Sequence, residues 1–149
     1  MHPDTSLGGV CPKVRVVDED RQLYVAKFPS RKDDYDVALW EHHSHLLAHE
    51  AGVNETQTSV IPTGGRYHAL LSKRFNRTKD SRRIHFASAM TLLGLIDGCD
   101  AKTGNGYLDI VDFILQNCCD VNEHLRQLYR RIAFNIAIGK TISAITASC

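Results

Sequence analysis

The sequence predicts an α+β fold in which a small antiparallel sheet with one helix precedes a helical region. Two observations support this prediction. Short segments of alternating apolar and polar residues, separated by turn residues, occupy the first half, whereas apolar residues at helical spacing dominate the second. Of the 149 residues, 43% are hydrophobic and 23% are charged. These values are ordinary for a globular domain and exclude a wholly disordered chain.

Four strands are predicted in the first half. Lys13–Val17 and Leu23–Phe28 alternate in polarity and are joined by a polar turn, which is typical of a β-hairpin. Thr58–Ile61 and Tyr67–Phe75 form a second hairpin pattern around the turn residues Pro62–Gly65. We therefore expect two hairpins in one antiparallel sheet.

One helix is predicted between the two hairpins. Apolar residues at helical spacing run over Val37–Ala51, and Gly52 is well placed to end the helix. We expect Val37, Trp40 and Leu47 to pack on the sheet. That packing would leave Glu41 beside the buried face and near the strand that carries Lys27.

Three helices are predicted in the second half, over Ile84–Leu95, over Tyr107–Asn117 and from about Asp120 onward. Asp120 or Asn122 can cap the last helix, and Asp120 with Glu123 has the form of a capping box. The predicted apolar stripe of the last helix comprises Leu125, Leu128, Tyr129, Ile132, Ala133 and Ile136, with Arg126, Arg130 and Arg131 facing away.

Charge and cysteine content exclude several classes of protein. The net charge is +1, from 18 basic and 17 acidic residues, which argues against a broad nucleic-acid-binding surface but leaves room for a local patch. No apolar run is long enough for a membrane helix, and the first residues do not form a secretory signal. The five cysteines have irregular spacing and no CxxC pair, which favours a reducing cytoplasm over a disulfide or zinc framework.

A glycine-containing loop and two charged side chains are the first candidate site. Glycine lets backbone N–H groups approach a phosphate, and a strand lysine after such a loop can grip nucleotide phosphates when a helical glutamate fixes its amine. Each residue has an ordinary alternative as a turn or a solvated charge. The candidate loop begins at Ser6, and the set comprises Gly8, Gly9, Val10, Cys11, Pro12, Lys13, Lys27 and Glu41.

Two further segments are ambiguous. His45 and His49 are four residues apart in the predicted helix, as zinc ligands can be, but no obvious third ligand follows. Leu70–Arg77 changes from apolar to basic and aromatic, which suits either a hinge between lobes or an edge strand that ends in a turn. Arg82 and Arg83 add a small basic cluster nearby.

Taken in order, these segments resemble the HipA family of bacterial serine/threonine kinases, the toxin components of toxin–antitoxin modules. The similarity extends nearly to Gly139. The matching stretches are Ser6–Gly9 with Pro12–Lys13, Ala26–Ser30, Asp36–Val37 with Trp40–Glu41, Leu70–Leu71 with Arg74–Phe75 and Arg77, Arg82–His85, Ser88–Leu93, Tyr107–Ile110 and Tyr129–Asn135.

The resemblance implies roles for these residues. It implies a kinase fold with a nucleotide-binding sheet lobe and a helical lobe, in which Gly8–Lys13 is the phosphate-binding loop and Lys27 the nucleotide-phosphate lysine. Ser6 matches the family's autophosphorylated serine. The segment Lys73, Arg74 and Phe75 matches the hinge that holds adenine. ATP and Mg²⁺ are the family's cofactors, and a protein substrate and a DNA-binding antitoxin are its partners.

The sequence also departs from the family pattern. Asn76 replaces the usual aspartate after Arg74–Phe75, and Cys11 replaces a smaller or more polar residue. The family's catalytic and metal-binding aspartates have no counterpart, because no Asp or Glu follows Glu123. The codons possible for Ile145–Cys149 permit a family-like His-Gly-Phe-Leu when they are read two bases later. We therefore expect a frameshift near Thr141 and a truncated product.

These observations predict three regions: a nucleotide-binding lobe over residues 1–77, a partial helical lobe over 78–139 and an aberrant tail over 140–149. The expected function is a fragment of a HipA-like kinase that binds ATP weakly and is inactive, without catalytic residues or metal ligands and without direct nucleic-acid or membrane binding. The alternatives are a non-catalytic nucleotide-binding or antitoxin-interaction module and a histidine-rich metal-binding domain.

Overall fold

A computed structural model of the chain describes residues 12–78, 80, 82–94, 106–139 and 146–147. These residues belong to two compact units. The sheet unit runs up to Glu50 and continues over Asn54–Ile84, and the helical unit takes Ala51–Val53 and the chain from His85 onward. A small antiparallel sheet with helices confirms the predicted α+β class. No helix in the described ranges is long and apolar enough to cross a membrane.

The sheet unit contains one four-stranded antiparallel sheet. Both predicted hairpins are confirmed, and the second strand of one pairs with the second strand of the other. Phe28 extends the first hairpin by donating its backbone N–H to the carbonyl of Pro12. The strands are β1 (Lys13–Val17), β2 (Leu23–Lys27), β3 (Thr58–Pro62) and β4 (His68–Lys73).

Helix α1 (Val37–Glu50) follows the first hairpin and packs on β3 and β4. Asp36 caps its first turn, because the carboxylate accepts the backbone N–H of Leu39 at 3.1 Å. Gly52 lies just beyond the helix with a φ of +71°, the left-handed conformation that glycine adopts at little cost. The predicted helix and its end are therefore confirmed.

The predicted buried face of α1 is wrong. Trp40 is 67% exposed and Leu47 is 58% exposed, whereas Ala38 and Ala48 are the buried residues of the helix. Two alanines let the helix backbone approach the sheet more closely than large side chains would. The prediction failed because it assigned the largest apolar residues to the buried face, whereas the small residues on the neighbouring face are the ones that pack on the sheet.

Among its described residues, the helical unit has three helices and a two-stranded ladder. The predicted helix over Tyr107–Asn117 is confirmed. The core comprises Ile110 and Ile114 of this helix together with Leu128 of the last helix. The elements are β5 (Ala87–Ser88), α2 (Ala89–Leu92), α3 (Tyr107–Asn117), α4 (Val121–Ala137) and β6 (Thr146–Ala147), which pairs antiparallel with β5.

The predicted helix over Ile84–Leu95 is wrong over most of its length. Within the described residues 84–94, the helix is limited to Ala89–Leu92, because the preceding two residues belong to β5. The hydroxyl oxygen of Ser88 accepts the backbone N–H of Thr91 at 3.2 Å and caps the helix there. Ser88 is a residue type that favours the N-cap position and so indicated where this helix begins, but the apolar pattern suggested an earlier start.

Helix α4 begins where the sequence predicts, but without the predicted capping box. Asp120 is the N-cap residue and makes no side-chain cap hydrogen bond. Glu123 instead accepts hydrogen bonds from Arg126 and Gln127 within the same helix. A nearby cation therefore outcompetes the backbone N–H groups for this carboxylate.

The apolar stripe of α4 is narrower than predicted. Leu128 is buried and Leu125 and Ile132 are partly buried against the core, but Tyr129 is 73% exposed and Ile136 is 70% exposed. The division at residue 77 stays a prediction. Of the predicted tail over 140–149, the described part is the short strand β6.

Candidate functional site

The candidate site is centred on Lys27 at the end of β2. Its amine forms an ion pair with the Glu41 carboxylate on α1, with Nζ donating to Oε1. The two side chains are 35% and 24% exposed. The structure thus brings together the strand lysine and the helical glutamate that the sequence singled out.

His45 extends this pair along the same helix. Its Nε2 lies 3.9 Å from Oε1 of Glu41, and its Nδ1 lies 3.2 Å from Oε2 of Glu55, which follows α1. The row Lys27, Glu41, His45 and Glu55 therefore alternates in charge. We call these four side chains the charge row.

The pKa values show that both central groups of the charge row are ionised at neutral pH. The contact with His45, opposed by burial and reinforced by Lys27, lowers the pKa of Glu41 from 4.5 to about 2. The contacts with the carboxylates of Glu41 and then of Glu55 outweigh burial and raise the pKa of His45 from 6.5 to about 9. The charge row contains two positive and two negative side chains, so its charges sum to zero around the half-buried Lys27 amine.

Lys13 lies directly opposite Lys27 in the β1–β2 ladder. Residues paired in an antiparallel ladder share one face of the sheet, so two ammonium groups project from neighbouring positions. Pro12 and Lys13 are the parts of the predicted phosphate loop that the structure describes, whereas Ser6, Gly8, Gly9, Val10 and Cys11 lie outside the described residues.

Three backbone groups of the predicted hinge already have partners. Lys73 donates its N–H to Gln57 at 2.9 Å and its carbonyl accepts the Thr56 hydroxyl at 2.6 Å. The N–H of Arg74 donates to Leu23 at 2.8 Å. An adenine ring at this hinge would therefore use backbone groups other than these three. Phe75 is 46% exposed there.

Two side-chain contacts fix α1 against the sheet. His42 Nδ1 lies 2.9 Å from the Thr58 hydroxyl of β3, and the Asp36 carboxylate contacts the His68 ring of β4. Against the opposing effect of burial, hydrogen bonds from His68 and from the Leu39 backbone hold the pKa of Asp36 below its usual value. Because Asp36 and His42 flank Glu41 along the chain, these two contacts hold Glu41 in place relative to Lys27.

The histidine pair proposed as metal ligands has a different arrangement. His45 is engaged by two carboxylates, and His49 is exposed. Within the described residues, no three His, Cys, Asp or Glu side chains converge as metal ligands. These residues do not fit a Mg²⁺ site either, so we derive no step through a metal ion.

Comparison with known protein families identifies the fold. The family model for the HipA-like C-terminal domain matches residues 5–141. The chain belongs to this family. No curated protein matches the chain. Membership of the HipA-like family places the chain in a kinase and toxin–antitoxin context at the level of the family. The matched residues include parts of both units and every residue of the charge row.

Sequence reasoning missed the role of His45 in this HipA-like chain. The residue drew attention only as one of two potential zinc ligands. Its spacing of four residues from Glu41 was the available signal, because such pairs lie side by side on a helix. Glu55 had no sequence signal, since its approach to His45 depends on how the chain turns after α1.

Proposed function

We propose that the sheet unit binds ATP, with Lys27 contacting the phosphates, as the nucleotide-binding part of a HipA-like protein serine/threonine kinase. The ion pair between Lys27 and Glu41 is the observation that carries this proposal. Such a pair places a lysine amine for nucleotide phosphates in protein kinases. Membership of the HipA-like family supports the same assignment.

The charge row explains how the amine would be prepared for a phosphate. Glu41 holds Lys27 in one direction, and His45 in turn holds Glu41. Because Glu55 offsets the charge of His45, the second cation does not repel the bound lysine. An arriving phosphate would meet an amine that is already oriented, with Lys13 beside it.

We infer that this 149-residue chain binds ATP without transferring its phosphate. Transfer requires carboxylates that position the acceptor and hold Mg²⁺, and no Asp or Glu follows Glu123. Without metal ligands, lysines and backbone dipoles alone neutralise the triphosphate. We therefore expect an ATP dissociation constant of about 10⁻⁴–10⁻³ M with little dependence on Mg²⁺.

Calorimetric titration with ATP, with and without Mg²⁺, tests this proposal. Lys27→Ala should weaken ATP binding by about tenfold or more, because a charge-assisted phosphate contact is lost. Lys32→Ala removes the same charge from an exposed turn and serves as the matched control. Equal ATP affinity in both variants would contradict the proposed site.

Protein partners form the second part of the proposal. Family context suggests a protein substrate and a DNA-binding antitoxin. The exposed side of α1, with Trp40, Leu46 and Leu47, favours an interaction module as the second candidate function, since large exposed apolar groups mark protein contacts. Retained antitoxin binding by the Lys27→Ala variant, measured by calorimetry with the purified antitoxin, would separate this candidate from nucleotide binding.

A further inference from the structure

A cluster of arginines lies at the other end of β2 from Lys27. Arg74 follows β4, and its N–H bonds to the carbonyl of Leu23 at the start of β2. Four residues of extended strand, about 13 Å, separate Leu23 from Lys27. The arginine cluster is therefore distinct from the charge row.

Asn76 organises two of these arginines. Its side-chain oxygen accepts Nε of Arg74 at 3.0 Å, and its backbone carbonyl accepts Nη1 of Arg77 at 3.1 Å. The same carbonyl accepts the N–H of Ile84 at 3.1 Å. The amide of Asn76 fixes the guanidinium groups without neutralising their charge.

A short antiparallel bridge adds a further arginine. Arg77 pairs with Arg83, so these two side chains stand opposite each other. The segment is closed by the N–H of Thr78, which donates to the carbonyl of Arg82 at 3.0 Å, and by the N–H of Arg82, which donates to the Thr78 hydroxyl. Like charges directly opposite one another destabilise a ladder unless an anion lies between them.

The electrostatics agree with this geometry. Partial burial and the positive charges of Arg77, Arg15 and Arg83 lower the pKa of Arg74. Each charged group that perturbs Arg74 in this way is another arginine. The arginines are therefore close enough for their charges to act on Arg74, and backbone hydrogen bonds hold the segment that carries them.

We propose that Arg74, Arg77 and Arg83, held in place by Asn76 and supplemented by the charge of Arg15, form a binding site for a phosphate dianion. Forked guanidinium donors match tetrahedral phosphate oxygens, and several converging cations favour a dianion over a carboxylate. The ligand is either free phosphate or a phosphate monoester. This proposal goes beyond contact of Lys27 with the ATP phosphates and does not depend on it, while Arg74 also belongs to the predicted adenine hinge.

NMR titration of the full chain at constant ionic strength tests the site, with inorganic phosphate, phosphoserine and acetate as probes. Phosphate should shift backbone signals around Asn76 and acetate should not. The double variant Arg77→Gln with Arg83→Gln should weaken phosphate binding by about tenfold, and Arg31→Gln, in an exposed turn, should change it by less than about twofold. Tighter binding of phosphoserine than of inorganic phosphate would identify the ligand as an ester.

Two further variants serve as controls. One tests whether a loss of phosphate binding results from misfolding, and the other tests whether the phosphate binds at the ATP site instead. Asn76→Asp keeps the acceptor for Arg74 but adds a negative charge, so phosphate affinity should fall while the melting temperature is unchanged or higher. Lys27→Ala should leave phosphate binding intact even if ATP binding fails. Phosphate binding that survives the double variant, or that is lost in Lys27→Ala, would overturn the proposal.

Discussion

At the scale of single residues, the charge row couples four ionisable groups through one helix face. Because the pKa of His45 rises from 6.5 to about 9 on folding, its stabilisation is complete below about pH 6.5 and is lost as the pH rises through about 9. The lowered pKa of Glu41 acts in the opposite sense, and its stabilisation is lost as the pH falls from 4.5 towards about 2. The row is therefore most stabilising between these two ranges.

Replacing His45 should expose this pH dependence. His45→Gln should reduce the free energy of unfolding by roughly 1–2 kcal/mol at pH 6.5 and by much less at pH 10, because solvent screening discounts the full pKa shift. Urea unfolding at a series of pH values measures both quantities. His49→Gln, on the exposed side of the same helix, is the control and should show neither effect. Equal losses at both pH values would count against a charged His45.

Glu41 should control the protonation of His45. In Glu41→Gln the first and largest cause of the raised pKa of His45 is removed, so NMR titration should find that pKa at least about one unit lower than in the parent chain. Glu55→Gln should lower it as well, because the Glu55 carboxylate lies 3.2 Å from Nδ1 of His45 and also raises this pKa. A His45 pKa that stays near 9 in Glu41→Gln would contradict the assigned contact.

At the scale of elements, α4 offers a direct test of which residues form the core of the helical unit. Leu128→Ala should lower the free energy of unfolding by about 2–4 kcal/mol, because it leaves a cavity beside Ile110 and Ile114. Tyr129→Ala removes a larger side chain from the neighbouring position, yet it should cost less than about 0.5–1 kcal/mol, since Tyr129 is exposed. Thermal or urea unfolding compares the two variants, and a larger loss for Tyr129→Ala would reverse the assignment.

Local patterns predicted the elements better than they predicted the packing. The β1–β2 hairpin and α3 follow from alternation and helical spacing, which depend only on nearby residues. The buried face of α1 could not be predicted in this way. Glu41 lies on the same helix as the buried Ala38 and Ala48, and its half-buried charge requires charged partners. Those partners come from β2 and, through His45, from the chain after α1, so the buried face can be recognised only when these long-range contacts are known.

The same distinction applies to the candidate site. The contact between Lys27 and Glu41 could be predicted from the sequence. Their order along the chain resembles that of the lysine and glutamate that pair in known kinases. His45, Glu55 and the arginines around Asn76 required the fold, since their roles arise from contacts between segments that are distant in sequence or from a turn that no residue pattern specifies.

At the scale of the whole molecule, the distribution of carboxylates limits what the chain can do with a bound nucleotide. The acidic side chains near Lys27 are committed to the charge row, where Glu41 and Glu55 balance two cations. Within the part of the chain that the structure describes, no three potential metal ligands converge. ATP binding and phosphate transfer make separate demands on a chain, and the proposed function assigns only ATP binding to the sheet unit.

We accordingly expect the purified 149-residue chain to show no phosphate transfer. Incubation with radiolabelled ATP and Mg²⁺ should leave Ser6 unlabelled and release no phosphate above background, although calorimetry should still detect weak ATP binding that Lys27→Ala reduces. The physical reason is that neither the acceptor hydroxyl nor Mg²⁺ has a carboxylate after Glu123 to hold it. Labelling or turnover that Lys27→Ala abolishes would show instead that carboxylates earlier in the chain, with Asp97, Asp100 and Asp109 as the first to substitute, supply the metal site.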